Sequence, residues 1–213
     1  MLFKNRHDAG CRLARALQDY RGRQPLVLAI PRGGVVVAAP MVAALAGELD
    51  LIISRKVGLP GSPELAVAAV APDGTVLYNE SVMRSLNLVP ADLKSFIEGE
   101  VAEIKRRLEV YRGHAGEPEI TGRVVIVVDD GVATGLTTEA ALRSVKQANP
   151  ARLVLAVPVA PPETAERLRS LVDDLICLAT PVPFYAVGQF YEDFSQVSDD
   201  EVKNILKKYK RTF

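Results

Sequence analysis

The chain has 213 residues, 48% of them hydrophobic and 24% charged, with 26 Lys plus Arg against 26 Asp plus Glu. That length suits one large domain whose core needs no staples, and a formal charge of zero excludes both a global basic field for nucleic acid and an acidic, disordered composition. Cys11 and Cys177 are too few and too far apart for a disulfide framework or a zinc site, and His7 and His114 lack ligand-spaced partners; without a signal core or a membrane-length apolar run, a cytoplasmic protein that engages neither membrane nor nucleic acid is expected.

In chain order, "DAGCRLARALQDY" (8–20) has helical apolar spacing, and "PLVLAI" (25–30) is a short core strand closed by the turn "PRGG". "VVVAAPMVAALAGE" (35–48) reads as a helix despite Pro40, and "LDLIIS" (49–54) as a second buried strand running into "RKVG". "ELAVAAV" (64–70) and "TVLYNE" (75–80) flank the turn signal "APDG", which predicts an antiparallel hairpin at or near the sheet edge. A charged amphipathic helix is expected over 90–112 and a loop over 114–122. Three units follow: a strand at 123–128 with a helix from about Thr137, a strand at 152–159 with a helix at 162–171, and a strand at 174–179 leading into "TPVPFYAVGQFYEDF" (180–194). "SDDEVKNILKKY" (198–209) carries a Ser cap and first-turn acids, as a last helix would. Strands alternating with helices predict an α/β fold with a mostly parallel twisted sheet flanked by helices. Its distinctive loops all follow strands and should meet on one rim.

Val124 to Val128 leave no polar face, so their strand belongs near the sheet centre, and Asp129 and Asp130 then surface together. Two ionised carboxylates about 5 Å apart repel by roughly 3 kcal/mol at an effective dielectric near 20. Donor hydroxyls, a cation or plain solvent must offset that. The bland reading is a solvated strand end. The following "GVATGLT" argues otherwise, since small residues opening a helix let an anion approach unpaired N–H groups, with Thr hydroxyls as further donors. Acceptors for hydroxyls beside donors for a phosphate suit a sugar phosphate, with the carboxylates on ribose hydroxyls and the loop amides on the 5′-phosphate. Acids locked to neighbouring arginines would count against this reading. P-loop, dinucleotide and nucleophile-elbow motifs are absent, and the later strand "VLAVPVAPP" offers no phosphoacceptor Asp for a receiver domain.

"VVIVVDDGVATGLT" resembles the diphosphate-sugar signature of type I phosphoribosyltransferases, and "AIPRGG" is placed like that family's pyrophosphate loop. Together with "FKNRHDAG", "PRGGVVVA", "RKVG" and "PEL", it resembles a branch often called simply predicted phosphoribosyltransferases. The resemblance implies that Asp129 and Asp130 hold the ribose hydroxyls and that Gly131, Val132, Ala133, Thr134, Gly135, Leu136 and Thr137 form the 5′-phosphate loop. It further implies that Arg32, Gly33, Gly34, Arg55 and Lys56 meet pyrophosphate, with a non-proline cis peptide in the first of these loops. Catalysis would rest on Asp129, Asp130, Arg32 and Lys56. The cofactor implied is Mg²⁺, coordinated mainly by substrate oxygens, with Asp129 and Asp130 as its protein-side candidates.

Ala133 departs from the 6-oxopurine pattern, which places Asp there, so a guanine or hypoxanthine acceptor is disfavoured. The 180–194 segment follows the last strand, where relatives carry a hood over the base, and holds five of the chain's twelve aromatics. Phe184 and Tyr185 are its stacking candidates. "KRRLEVYR" (105–112) occupies the region of a mobile active-site loop, with Tyr111 and Arg112 as candidates to reach pyrophosphate after closure. Solvated pairing with Glu100, Glu103 and Glu109 is the competing reading, and His114 is given no role. The expected organisation is one domain, with a core over about 10–180, an inserted hairpin and helix over about 64–120 and a hood over about 180–194. The expected function is transfer of the 5-phosphoribosyl group from phosphoribosyl diphosphate to a nucleobase-like acceptor with release of pyrophosphate, by a protein that the resemblance makes a homodimer. The alternative is a sensor or regulator that binds phosphoribosyl diphosphate or a nucleotide without turnover.

Overall fold

The computed structural model describes residues 2–59, 65–113 and 117–209. Its strands β1 (Leu26–Ala29), β2 (Glu48–Leu51), β6 (Val124–Val128), β7 (Arg152–Val159) and β8 (Asp174–Ala179) form a five-stranded sheet in the order β2-β1-β6-β7-β8, with every pairing parallel. The five apolar residues of β6 do occupy the middle. Alternate residues feed two cores: Val27, Ala29, Ile126, Val128, Val154 and Ala156 face one layer, while Leu26, Leu28, Val125, Val127, Leu153 and Leu155 face the other. Helices α1 (Arg6–Ala16), α2 (Gly33–Leu45), α4 (Lys94–Arg112) and α7 (Asp199–Tyr209) contribute Leu13, Met41, Ile104 and Val202 to the first layer. Helices α5 (Leu136–Gln147) and α6 (Pro162–Arg169) contribute Leu142 and Leu168 to the second. Burying each such aliphatic side chain contributes about 1.5–3 kcal/mol, and strands buried on both faces read as continuous apolar runs for that reason.

The predicted hairpin is antiparallel, but it does not extend the main sheet. Strands β4 (Ala68–Val70) and β5 (Val76–Tyr78) pair with β3 (Arg55–Val57) in a separate three-stranded antiparallel sheet. The "RKVG" segment is thus a strand of its own. This small sheet lays Ala69, Ala71 and Leu77 on Leu136 and Ala140 of α5, so its register is set by packing on a helix rather than by the main sheet's edge. "TVLYNE" ends as a strand at Tyr78, because Asn79 caps a short helix α3 (Glu80–Ser85), accepting from the Val82 N–H at 3.3 Å. α1 starts at Arg6, two residues before the predicted start, because the Asn5 side chain accepts from the Asp8 N–H at 2.9 Å. α2 starts at Gly33, so "PRGG" is itself the strand-to-helix junction. Pro63 and Glu64, the start of the predicted strand at 64, and His114 lie outside the described residues.

From β1 the chain winds outward to β2, then returns to β6 and winds the other way through β7 and β8. The carboxyl ends of β1 and β6 therefore flank a topological switch point, where open α/β sheets hold their ligands. Both conspicuous motifs end there.

Candidate functional site

The two loops at the switch point touch. The Pro31–Arg32 peptide is cis, as the resemblance implied, and Gly33 and Gly34 open α2 against the acid pair. A Cβ on Gly33 would lie 1.8 Å from Asp130 Oδ2, and only glycine fits there. The loops after β1 and β6 are thus built as one surface.

Asp129 and Asp130 are half-buried at the end of β6. The Asp130 N–H donates to Asp129 Oδ1 at 2.8 Å. Arg6 Nε donates to Asp130 Oδ2 at 2.7 Å, with the two side chains 11% and 16% exposed. The condition set against the sugar-phosphate reading is therefore met at one of the two acids. Arg6 takes Oδ2 alone, and the Asp129 and Asp130 carboxyls lie within hydrogen-bonding reach of each other. Burial, then the neighbouring Asp130 charge, pushes the Asp129 carboxyl well above its usual range. Burial also raises Asp130, against the pull of Arg6.

Beyond the acids, the Gly131–Thr137 loop is held from behind. Val132 N–H donates to Val159 O at 2.9 Å, Tyr191 Oη to Asp130 O at 2.6 Å, Thr164 Oγ1 to Ala133 O at 2.9 Å and Arg167 Nη2 to Thr134 O at 2.5 Å. Gly135, at φ +76°, is the left-handed N-cap of α5. Every one of those side-chain bonds takes a carbonyl. Among the described residues no acceptor engages the N–H groups of Ala133, Thr134, Gly135, Leu136 or Thr137. The result is a rank of unpaired donors at a helix N-terminus, which favours an anion.

The other predicted residues surround this nest unevenly. Arg32 faces Asp199 of α7 across 3.5 Å and is 37% exposed. Arg55 is paired with Glu100 of α4, whereas Lys56 beside it is exposed and lines a cleft of about 900 Å³ with Thr134, Leu136, Arg143 and Arg167. A second cleft, of about 570 Å³, lies between Ala133, Thr134 and Thr164 on one side and Phe184 and Tyr185 on the other. Phe184 also packs on Phe190 at 4.9 Å between ring centroids, while Tyr185 is 84% exposed. Both rings thus border the same cleft, Phe184 packed on its neighbour and Tyr185 exposed.

The 105–112 run is engaged within the fold. Arg106 and Arg107 pair with Glu103, and Arg112 is held by Asp50 at 2.8 Å and by Leu51 O at 2.9 Å in a nearly buried contact. Arg112 pins α4 to β2. Swinging it out would strand Asp50, which is 6% exposed. Tyr111 instead donates to Asp199 at 2.6 Å, and burial followed by that carboxylate pushes its phenol up to about 12. Sequence reasoning missed Arg6, Thr164 and Arg167, and counted Tyr191 only among the hood aromatics. Arg6 had a signal within "FKNRHDAG"; the rest act on backbone carbonyls, which no motif marks.

These features define a doubly wound α/β domain whose switch point joins an acid pair, a small-residue amide nest and a glycine-opened helix. The chain belongs to the phosphoribosyl transferase domain family, whose profile matches residues 7–194. It is 40% identical over 212 residues to "Putative phosphoribosyl transferase MT0597" and to "Putative phosphoribosyl transferase Rv0571c", both of Mycobacterium tuberculosis, covering 100% of this chain and 48% of each relative. The chain thus spans about half the length of these curated relatives. Among solved structures, TT1426 from Thermus thermophilus is 41% identical, with a TM-score of 0.82 over 99% of this chain and 100% of that one. A hypothetical protein from Neisseria gonorrhoeae with bound ppGpp, 14% identical with a TM-score of 0.50 over 98% of this chain and 94% of that one, shares the fold.

Proposed function

We propose that this domain transfers the 5-phosphoribosyl group of phosphoribosyl diphosphate to a nucleobase-like acceptor, releasing pyrophosphate. The observation that carries the reading is the contact of Gly33 with Asp130 at the switch point, beside an amide nest with no acceptor of its own. The 5′-phosphate would sit on the N–H groups of Ala133 to Thr137. The ribose hydroxyls would face the carboxylate oxygens that Arg6 leaves open, and the diphosphate would lie along Arg32, Gly33 and Gly34 with Lys56 reaching in. Arg55 would contribute there only by leaving Glu100.

As the anomeric bond to pyrophosphate lengthens, positive charge grows on the ribose ring and negative charge on the leaving group. Asp129 and Asp130 would stabilise the first by proximity, and Arg32 and Lys56 the second. Mg²⁺ fits the hard oxygen donors of the acid pair. An ion held mainly by substrate oxygens would have Asp129 and Asp130 as its protein contacts. Bound there, it would supply charge neutralisation on the diphosphate. A flat acceptor would enter the cleft between Ala133 and Tyr185. Ala133 carries no proton-transfer group, so the acceptor would arrive already nucleophilic, or be activated by a group elsewhere.

That missing acid/base group favours a second reading, a sensor that binds phosphoribosyl diphosphate without turnover. Pyrophosphate release with a panel of nucleobases separates the two. Turnover with any base, lost in Asp130→Asn, is the expected result. Tight binding without turnover would establish the sensor, and no binding would end both readings. Homodimerisation, expected from the resemblance, is tested by sedimentation. No helix among the described residues is long and apolar enough to cross a membrane.

A further inference from the structure

Arg6 stands on the first turn of α1, more than a hundred residues from the acids, yet its guanidinium serves both the acid pair and the segment after β8. Nε donates to Asp130 Oδ2 at 2.7 Å and Nη1 to Ser195 O at 2.8 Å. The guanidinium carbon lies 3.8 Å from the Phe194 ring centroid. Around it, residues 2–4 and 190–193 exchange main-chain bonds: Leu2 and Phe3 N–H to Phe190 O, Glu192 N–H to Phe3 O and Asp193 N–H to Lys4 O. Phe3, Tyr191 and Phe194 stack in sequence at 5.3 and 5.0 Å, and Tyr191 reaches back to Asp130 O. The N-terminal segment and the hood segment are therefore one unit, and Arg6 is its bolt to the acids.

We infer that Arg6 is a positioning residue of the sugar site, fixing Asp130 through one carboxylate oxygen so that the other faces the ribose, and fastening the hood to the same carboxylate. The inference rests on the function proposed above. A guanidinium is suited to this because its planar fork presents separate edges to two acceptors at once. A lysine ammonium would keep the charge but could not hold Asp130 and Ser195 O in a fixed plane. The bond's place over Gly33 matters too: a Cβ on Gly33 would lie 2.8 Å from Arg6 Nε, so Arg6, Asp130 and the "PRGG" loop meet at one point.

The test is titration calorimetry of phosphoribosyl diphosphate with Mg²⁺ against wild type, Arg6→Met, Arg6→Lys, Asp130→Asn and the double variants. Arg6→Met keeps the apolar stem and is expected to weaken binding by about 10- to 100-fold, the usual loss when an outer-shell partner of a ligating group is removed. Arg6→Lys should recover part of it. In the Asp130→Asn background neither substitution should change affinity by more than about twofold, because the carboxylate that Arg6 orients is gone. A purely architectural role predicts equal losses in both backgrounds and would overturn the inference. So would wild-type or tighter binding by Arg6→Met, which would make Arg6 a competitor of the ribose. Where Arg6→Met does not fold, the Arg6→Lys pair reads the same coupling. If wild type itself does not bind, the proposed function falls and takes this inference with it; if wild type binds and the coupling is absent, only the inference falls.

Discussion

At Asp129, burial and the charge of Asp130 act in the same direction, whereas at Asp130 the Arg6 guanidinium opposes the push from burial. Burial outweighs Arg6, so both carboxyls are raised, and the two acids should respond to amidation with the same sign but unequal size. An acid whose folded pKa lies above its unfolded one binds more protons folded than unfolded, so stability falls as pH climbs from the unfolded pKa through the folded one. Asp129→Asn removes that fall. It is expected to raise Tm at pH 7 and to match wild type near pH 4, while weakening ribose 5-phosphate binding. Asp130→Asn should raise Tm at pH 7 by less than Asp129→Asn does, because relief of its own buried charge is offset by loss of the Arg6 ion pair. Thermal melts across pH 4–8 read both, and a lower Tm for Asp129→Asn at pH 7 would make that carboxylate a structural anchor. The acids were legible because a buried strand ending in two carboxylates needs an explanation. Their inequality was not, since it depends on an arginine brought from the far end of the chain by the fold.

Elements were legible in proportion to how local their causes are. β6 and β7 show in the sequence because burial on both faces demands unbroken apolar runs, and the cap of α7 shows because it is a side-chain property. The three-stranded sheet did not, because β3 has only three residues and its partners follow an intervening loop; pairing there is decided by what covers α5. The anion nest is a similar case. Its sequence advertises small residues, but the orientation of its amides comes from α6, whose Thr164 and Arg167 take the carbonyls of Ala133 and Thr134. Thr164 is 6% exposed, so Thr164→Val, nearly equal in volume, leaves the Ala133 carbonyl without its partner. The expected cost is about 1–3 kcal/mol in a urea melt, with several-fold weaker ribose 5-phosphate binding measured by calorimetry. Gly135→Ala should act on the same loop by another route, since a Cβ at φ +76° would lie 2.9 Å from Thr164 Cγ2. An unchanged affinity in both variants would mean that the nest needs no support from α6.

Across the whole molecule, the sheet order carries distant pieces of chain to one rim, and α7 is the last of them. Its first residue, Asp199, accepts from Tyr111 at the end of α4 and faces Arg32 at the start of α2, so the "PRGG" loop already has an anion beside it. The Tyr111 bond, with Arg32 after it, holds the Asp199 carboxyl below its usual range. A depressed acid contributes stability above its unfolded pKa and loses it as pH falls through the folded one. The contribution is small, because side chains 37% and 55% exposed form a screened pair across 3.5 Å. The consequence for ligands is larger than for folding. Pyrophosphate arriving at Arg32 must compete with Asp199, and a pair of this kind is worth about 0.2–1 kcal/mol. Asp199→Asn should then tighten pyrophosphate binding by about 1.5- to 5-fold at low salt, with the difference shrinking as ionic strength rises. Tm should move by less than about 2 °C. Calorimetric titration of pyrophosphate into wild type and Asp199→Asn at two salt concentrations makes the comparison. Equal affinities at low salt would mean that α7 does not contest the anion site in solution, and that its acids serve only to cap their own helix.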